Sequence, residues 1–306
     1  MIVSSLQPAQ LLEQLHRGDP RSVARAISLV EDQSDVGASI MQGLDQQRLD
    51  EALTVGITGP PGAGKSTLTG ALIHHLRQQK IRVGIIAVDP SSPLTHGALL
   101  GDRIRMMDHA LDQDVVVRSM ATRGRLGGVC AAAGAAMRIM AASGCRVILV
   151  ETVGIGQSEM DIASLADITV LVLAPGFGDE IQAMKAGILE VVDLLVINKA
   201  DMPGTQKLLF DLGKGLRASD QVLQTCASEK QGTADLLTRL LSLEKMLRQE
   251  QKLQQRRLCS LRQETVDWSL ELFKKRLTAL VHEQHCTGID PRVAAEQLLN
   301  RVIPGE

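Results

Sequence analysis

The residues Gly59-Pro60-Pro61-Gly62-Ala63-Gly64-Lys65-Ser66 fit the pattern G-x-x-x-x-G-K-[ST], which cradles the phosphates of a nucleoside triphosphate. The glycines permit a tight turn whose N–H groups point inward. A helix N-terminus behind them adds partial positive charge, and the Lys65 ammonium can reach the terminal phosphates. Ser66 is placed to ligate Mg2+, and Thr67 carries the loop into the helix. A ligand-free Gly/Pro-rich turn is the bland alternative. The context argues against it, because Thr54–Thr58 reads as a short buried strand and Thr67–Gln79 as a helix.

A second motif, Asn198-Lys199-Ala200-Asp201, follows the apolar run Leu194–Ile197 and so falls at a strand's carboxyl end, where open α/β sheets bind ligands. It matches N-K-x-D. The Asp201 carboxylate can accept hydrogen bonds from N1–H and the 2-amino group of guanine, whereas adenine offers neither donor. GTP and GDP are the ligands this implies. Thr225-Cys226-Ala227 ends a further strand, and the backbone of Cys226 and Ala227 is a candidate second contact with the base.

Three acids end near one strand edge. Glu151, in Glu151-Thr152-Val153-Gly154, supplies an acid for Mg2+, and the Gly154 N–H can meet the γ-phosphate. Small G proteins carry Asp there, so the longer Glu151 side chain points to action through metal-bound water. Asp89 closes another strand, and Asp102 follows in Leu100-Gly101-Asp102-Arg103. Each acid could instead cap a following helix. The segment Thr122–Gly128 combines glycines with Arg123 and Arg125 and reads as a loop able to order over the γ-phosphate, or as exposed cations before a helix. Gln157 could orient water or lie on the surface.

Positioning these residues requires an α/β fold. From Ala52 to about Thr225, β-branched runs (Leu53–Thr58, Val83–Val88, Val115–Val117, Val147–Val150, Ile168–Leu173, Leu194–Ile197, Val222–Thr225) alternate with helical segments. That alternation predicts a mostly parallel sheet with helices on both faces. Leu6–Asp50 carries apolar residues at helical spacing, broken by Gly18-Asp19-Pro20, which predicts two or three helices. After Gly232 the chain reads as helical to its end, with a break near Thr287–Pro291.

Bulk properties narrow the class. The 306 residues are 44% hydrophobic, ample for a core, and the net charge of -2 gives no electrostatic reason to bind nucleic acid. Three Phe, one Trp and no Tyr leave no stacking platform for bases. No run of 18 uncharged apolar residues occurs, and Met1–Leu15 lacks the features of a signal peptide, so the expectation is a cytoplasmic protein with no membrane partner. The five cysteines lack C-x-x-C spacing and read as ordinary thiols, without the Cys/His cluster a nickel-inserting GTPase would need. The run Gln254-Gln255-Arg256-Arg257 reads as a solvated helix face. Leu258, Leu261, Thr265, Trp268 and Leu272 recur at alternating spacings of four and three, as a helix-packing seam requires, facing either a second chain or the nucleotide domain.

Gly59–Ser66, Val88–Pro93, Leu100–Met106, Glu151–Glu159 and Asn198–Asp201 together resemble the MeaB/ArgK family, from about residue 10 to residue 300. The Asp89, Asp102 and Glu151 blocks are more specific to it than the P-loop alone. The resemblance implies a GTPase of the SIMIBI class, homodimeric through a C-terminal arm, that assists loading of adenosylcobalamin into a cobalamin-dependent acyl-CoA mutase such as methylmalonyl-CoA mutase and protects that enzyme from inactivation. It carries Lys65 and Ser66 over as phosphate and Mg2+ contacts, Asp89, Asp102 and Glu151 as metal-site or hydrolytic acids, and Asn198, Lys199 and Asp201 as base contacts. His96 stands where relatives are expected to have glycine. The implied organisation is an N-terminal helical extension over 1–50, a P-loop GTPase domain over 51–255 and a helical dimerisation arm over 256–306. The competing function, a P-loop phosphotransferase, needs an acceptor pocket and a base, and the sequence shows neither clearly.

Overall fold

The computed structural model describes residues 7–89, 112–121, 128–152, 158–176, 188–213, 222–283 and 290–302. The readings at His96, Asp102, residues 122–127, Gly154 and Gln157 lie outside the described residues. Four short helices come first, α1 (Pro8–His16), α2 (Pro20–Glu31), α3 (Asp35–Gln42) and α4 (Gln46–Glu51). The spacing predicted two or three. The extra break arises because Asp19, Ser34 and Asp45 each accept a hydrogen bond from the backbone N–H three residues on, giving α2, α3 and α4 separate N-caps.

The α/β region follows as β1 (Leu53–Thr58), α5 (Lys65–Gln78), β2 (Val83–Asp89), β3 (Val115–Ala121), α6 (Gly128–Ala142), β4 (Val147–Thr152), α7 (Ser158–Leu165), β5 (Ile168–Leu173), α8 (Ile188–Val191), β6 (Leu194–Ile197), α9 (Thr205–Gly213) and β7 (Val222–Gln224). The chain continues through α10 (Thr233–Gln249), α11 (Lys252–Glu283) and α12 (Pro291–Val302). The described strands form one parallel sheet in the order β3-β2-β4-β1-β5-β6-β7. From β1 the chain passes first to the β2 side and later to the β5 side, so the loop after β1 opens into the crevice where strand order reverses.

Alternation along the strands divides the core. Val83, Ile85 and Ala87 of β2, with Val147 and Leu149 of β4, join α5 and α10 on one face. Ile86 and Val88, with Ile148 and Val150, join α6 on the other. Leu11, Leu15, Val23, Ile27 and Ile40 of the first three helices belong to that second cluster. Residues before Asp50 therefore share the core of the nucleotide domain. A fully buried Leu or Ile there is stabilised by roughly 1.5–3 kcal/mol relative to exposure.

The long helix α11 begins inside this body, so the boundary expected between Gln255 and Arg256 falls within its first turns. Arg257 makes a two-point pair with Asp167 (2.8 and 2.6 Å) and also donates to the carbonyls of Leu49, Asp50 and Ala52, closing the end of α4. Burial opposes the Arg257 charge, but the hydrogen bonds and charge of Asp167, with the nearby Asp50 and Glu244 carboxylates, together outweigh it and raise the guanidinium above the ordinary arginine range. Arg256 forms the matching pair with Asp193 (3.0 and 2.7 Å). These two arginines were expected on a solvated face; instead they fasten the helix, because both aspartates sit in turns just before strands β5 and β6. Two turns further along, Glu264 takes both arms of Arg138 from α6 at 2.7 and 2.6 Å. Glu264 lies directly over Gly134, where a Cβ would meet its carboxylate oxygen at 2.6 Å.

The stripe expected on α11 splits. Leu258, Leu261 and Leu272 are 49%, 52% and 54% exposed, while Trp268 is half-buried against the cluster that holds the N-terminal helices. Trp268 therefore reports on this internal seat. Among the described residues no helix is long and apolar enough to cross a membrane.

Candidate nucleotide-binding site

The loop after β1 closes over the sheet end because two positions admit only glycine. Gly59 has φ +139°, and a Cβ there would come 2.1 Å from the Val172 carbonyl oxygen. Gly64 has φ +89°, and its Cβ would strike the Asn198 amide nitrogen at 2.3 Å. Gly64 is also the N-cap of α5 and supplies no capping side chain, and the first turn carries no acid. That leaves helix N–H groups and an unopposed positive dipole end facing the loop, the arrangement that receives phosphate. Lys65 is only 6% exposed. Its Nζ donates to the carbonyls of Gly59 (2.7 Å) and Pro60 (3.0 Å), bent across the mouth of the loop, within reach of the space above it.

Glu151, near the end of β4, stands in register with Ile57 of β1 and Ala87 of β2. It is 4% exposed. Ser66 Oγ donates to its Oε1 at 2.5 Å, and Thr69 Oγ1 lies 3.0 Å from its Oε2. A hydroxyl and a carboxylate in contact form an all-oxygen donor set of the kind Mg2+ prefers, so the residues present fit that ion. Asp89 ends β2 beside this pair in the sheet order, paired in register with Ala121. Thr152 and Thr58, on adjacent strands, approach at 3.4 Å.

The N-K-x-D segment is braced by Asn198. Its amide donates to the Ala63 carbonyl at 2.9 Å, and its Oδ1 accepts from Thr225 Oγ1 and the Ala227 N–H, both at 3.1 Å. One buried side chain thus ties together the P-loop, the end of β6 and the loop after β7. Lys199 adopts φ +56°, and its aliphatic chain passes near Gly64. Ala200 donates to the Thr225 carbonyl, and Asp201 is exposed at the turn. Cys226 and Ala227 are buried; the Cys226 N–H is bonded to Gln231 and that of Ala227 to Asn198.

The structure therefore brings Gly59–Thr67, Glu151 and Asn198–Asp201 to one sheet edge, with Cys226 and Ala227 behind the base loop. Sequence reading missed Thr69 and the bracing role of Thr225. Thr69 had a readable signal, a second hydroxyl three residues after Ser66 and hence on the same helix face.

Comparison with known proteins fits this geometry. Residues 23–285 match the family described as Methylmalonyl Co-A mutase-associated GTPase MeaB. A protein of Pyrococcus abyssi named as a GTPase is 40% identical over 315 residues, covering 97% of each chain. The GTPase ArgK of Escherichia coli is 34% identical over 280 residues, covering 85% of this chain and 82% of its own. A solved structure described as an LAO/AO transport system kinase superposes with a TM-score of 0.67 at 24% identity over 99% of both chains, a likeness of fold.

Proposed function

This chain belongs to the MeaB family of P-loop GTPases, and from that premise we propose that it is a GTP-driven chaperone for a cobalamin-dependent acyl-CoA mutase such as methylmalonyl-CoA mutase. The observation that carries the reading is the Asn198 brace, which makes the phosphate loop and the base loop one rigid receptor for a guanine nucleotide. The protein's output is a change of shape passed to its client, which assists adenosylcobalamin loading and protects the loaded enzyme.

Within the site the chain's own groups divide the work. The N–H groups of Gly62–Ser66 and the Lys65 ammonium hold the β- and γ-phosphates, and Lys65 offsets charge as the γ-phosphoryl leaves. Asp201 selects guanine. Ser66 and Glu151, with Asp89 and Asp102, would hold Mg2+, and the Glu151 carboxylate would accept a hydrogen bond from water at the site. Mg2+, when bound, neutralises phosphate charge and lowers the barrier to transfer. Lys199 contacts the base beside Asp201, and Gly154 meets the γ-phosphate. The protein works in the cytoplasm as a homodimer, its contact made by residues 256–306, where Leu258, Leu261 and Leu272 form the outward stripe.

The test is retention of the purified protein's partners from its own cell extract in the presence of a non-hydrolysable GTP analogue. Recovery of an acyl-CoA mutase, lost when GDP replaces the analogue, is expected. Retention of no such mutase in either state would overturn the chaperone reading.

A further inference from the structure

Glu151 is a long and flexible acid for a metal site, with one more rotatable bond than Asp, so something must fix which way its carboxylate faces. Thr69 lies on α5, one turn beyond Lys65 and three residues beyond Ser66, and is 1% exposed. Its Oγ1 has two acceptors at 3.0 Å, the Lys65 carbonyl and Glu151 Oε2. A helical threonine ordinarily donates back to the carbonyl four residues earlier. Its hydroxyl has only one hydrogen, and a carboxylate is the stronger acceptor. Ser66 meets the other oxygen, Oε1, at 2.5 Å. Two hydroxyls on one helix face thus grip the two oxygens of a single buried carboxylate.

We infer that Thr69 is a positioning residue for Glu151, holding Oε2 so that Oε1 stays turned toward Ser66 and thereby setting the site's affinity for Mg2+. The inference rests on the reading of Glu151 as a metal-site acid. The Ser66 hydroxyl is the group that a metal ion would draw away, and Thr69, nearly one helical turn deeper, keeps its hold on Oε2 when Ser66 turns outward. Valine at this position would keep the branched shape and place a methyl against the carboxylate; serine would keep the donor and lose only the methyl.

The experiment follows release of a fluorescent GDP from the full-length protein as Mg2+ is raised, with the thermal unfolding midpoint of each nucleotide-free variant beside it. Thr69→Val should raise the Mg2+ concentration that half-slows release by about tenfold, and Thr69→Ser should return it to within about twofold of the wild type. Glu151→Gln should raise it at least as far, and adding Thr69→Val to that variant should change nothing further, because the acceptor's charge is already gone. Thr69→Ala removes the donor without adding the methyl and should match Thr69→Val. Wild-type Mg2+ dependence in Thr69→Val alongside a shifted Glu151→Gln would overturn the positioning role alone, as would equal impairment in Thr69→Ser and Thr69→Val. An unshifted Glu151→Gln would instead remove the metal-site reading of Glu151, and the inference with it.

Discussion

The two ends of this sheet solve opposite problems with similar residues. At the carboxyl end, Lys65 donates to the carbonyls of Gly59 and Pro60 and Ser66 to one oxygen of Glu151, single-atom contacts of the kind for which a phosphate or a metal ion competes. At the amino end, Arg256, Arg257 and Arg138 face Asp193, Asp167 and Glu264 in paired, two-point contacts, and Arg256 and Arg257 donate to backbone carbonyls as well. The first set is arranged to exchange partners and the second to keep them. A buried charge is therefore poor evidence of a binding site by itself; what separates the two ends is whether its partners are fork-shaped and complete or single and displaceable.

The largest effect that would sharpen this contrast is at Lys65. Lys65→Ala should lower kcat/KM for GTP by about a thousandfold, or ~4 kcal/mol, while the nucleotide-free unfolding midpoint stays within about two degrees. A steady-state assay and a melting curve together check it. The mirror case is Arg257→Ala, which leaves the Asp167 carboxylate buried with its fork removed. A cost of about 3 kcal/mol in stability is expected, read by denaturant unfolding, with affinity for GDP in calorimetry unchanged within about twofold. A parallel loss of nucleotide affinity would break the separation of the two ends.

Asp201→Asn comes next. GTP affinity should fall by about a hundredfold, ~2.7 kcal/mol, and xanthosine triphosphate should become the better ligand, since an amide can donate to the 2-oxo group. Wild-type protein that binds ATP as tightly as GTP would contradict the guanine assignment. The smallest effect lies at the N-cap of α2. The Ser22 hydroxyl and N–H lower the Asp19 pKa below the ordinary value. Its stabilising contribution is therefore fully present above that ordinary value, near 3.8, and is lost as pH falls through the depressed one. Asp19→Ala should cost about 1 kcal/mol at neutral pH, and its melting curve should converge on the wild type's in strong acid.

Much of this was readable in the chain before the fold. β1, β5 and β6 begin and end where their β-branched runs do, because each is buried on both faces and flanked by turn residues. The P-loop and N-K-x-D were legible because backbone geometry and base chemistry restrict the residue types allowed. Arg256 and Arg257 were not, since their partners Asp167 and Asp193 lie far back in the sequence and a polar helix gives no sign of which face will dock. The direction Trp268 faces stayed open for a related reason. α11 is apolar on more than one side, so spacing alone does not say which side meets the body. Thr69 was passed over because a threonine in a helix has a local partner of its own.

Gly134 turns a missing methyl into a matter of angle. A side chain there would meet Glu264 at 2.6 Å while Arg138 pins that carboxylate from both arms, so either the ion pair swings aside or α11 rises by about an ångström at this point. The Arg257 clamp, about 10 Å back along the axis, acts as the fulcrum, and the far end of α11 at Glu283 lies about 39 Å from it. A rise of ~1 Å at Glu264 then becomes roughly 4 Å at the tip. The bare α-carbon on α6 is a shim of zero thickness, and it sets where the end of a lever points.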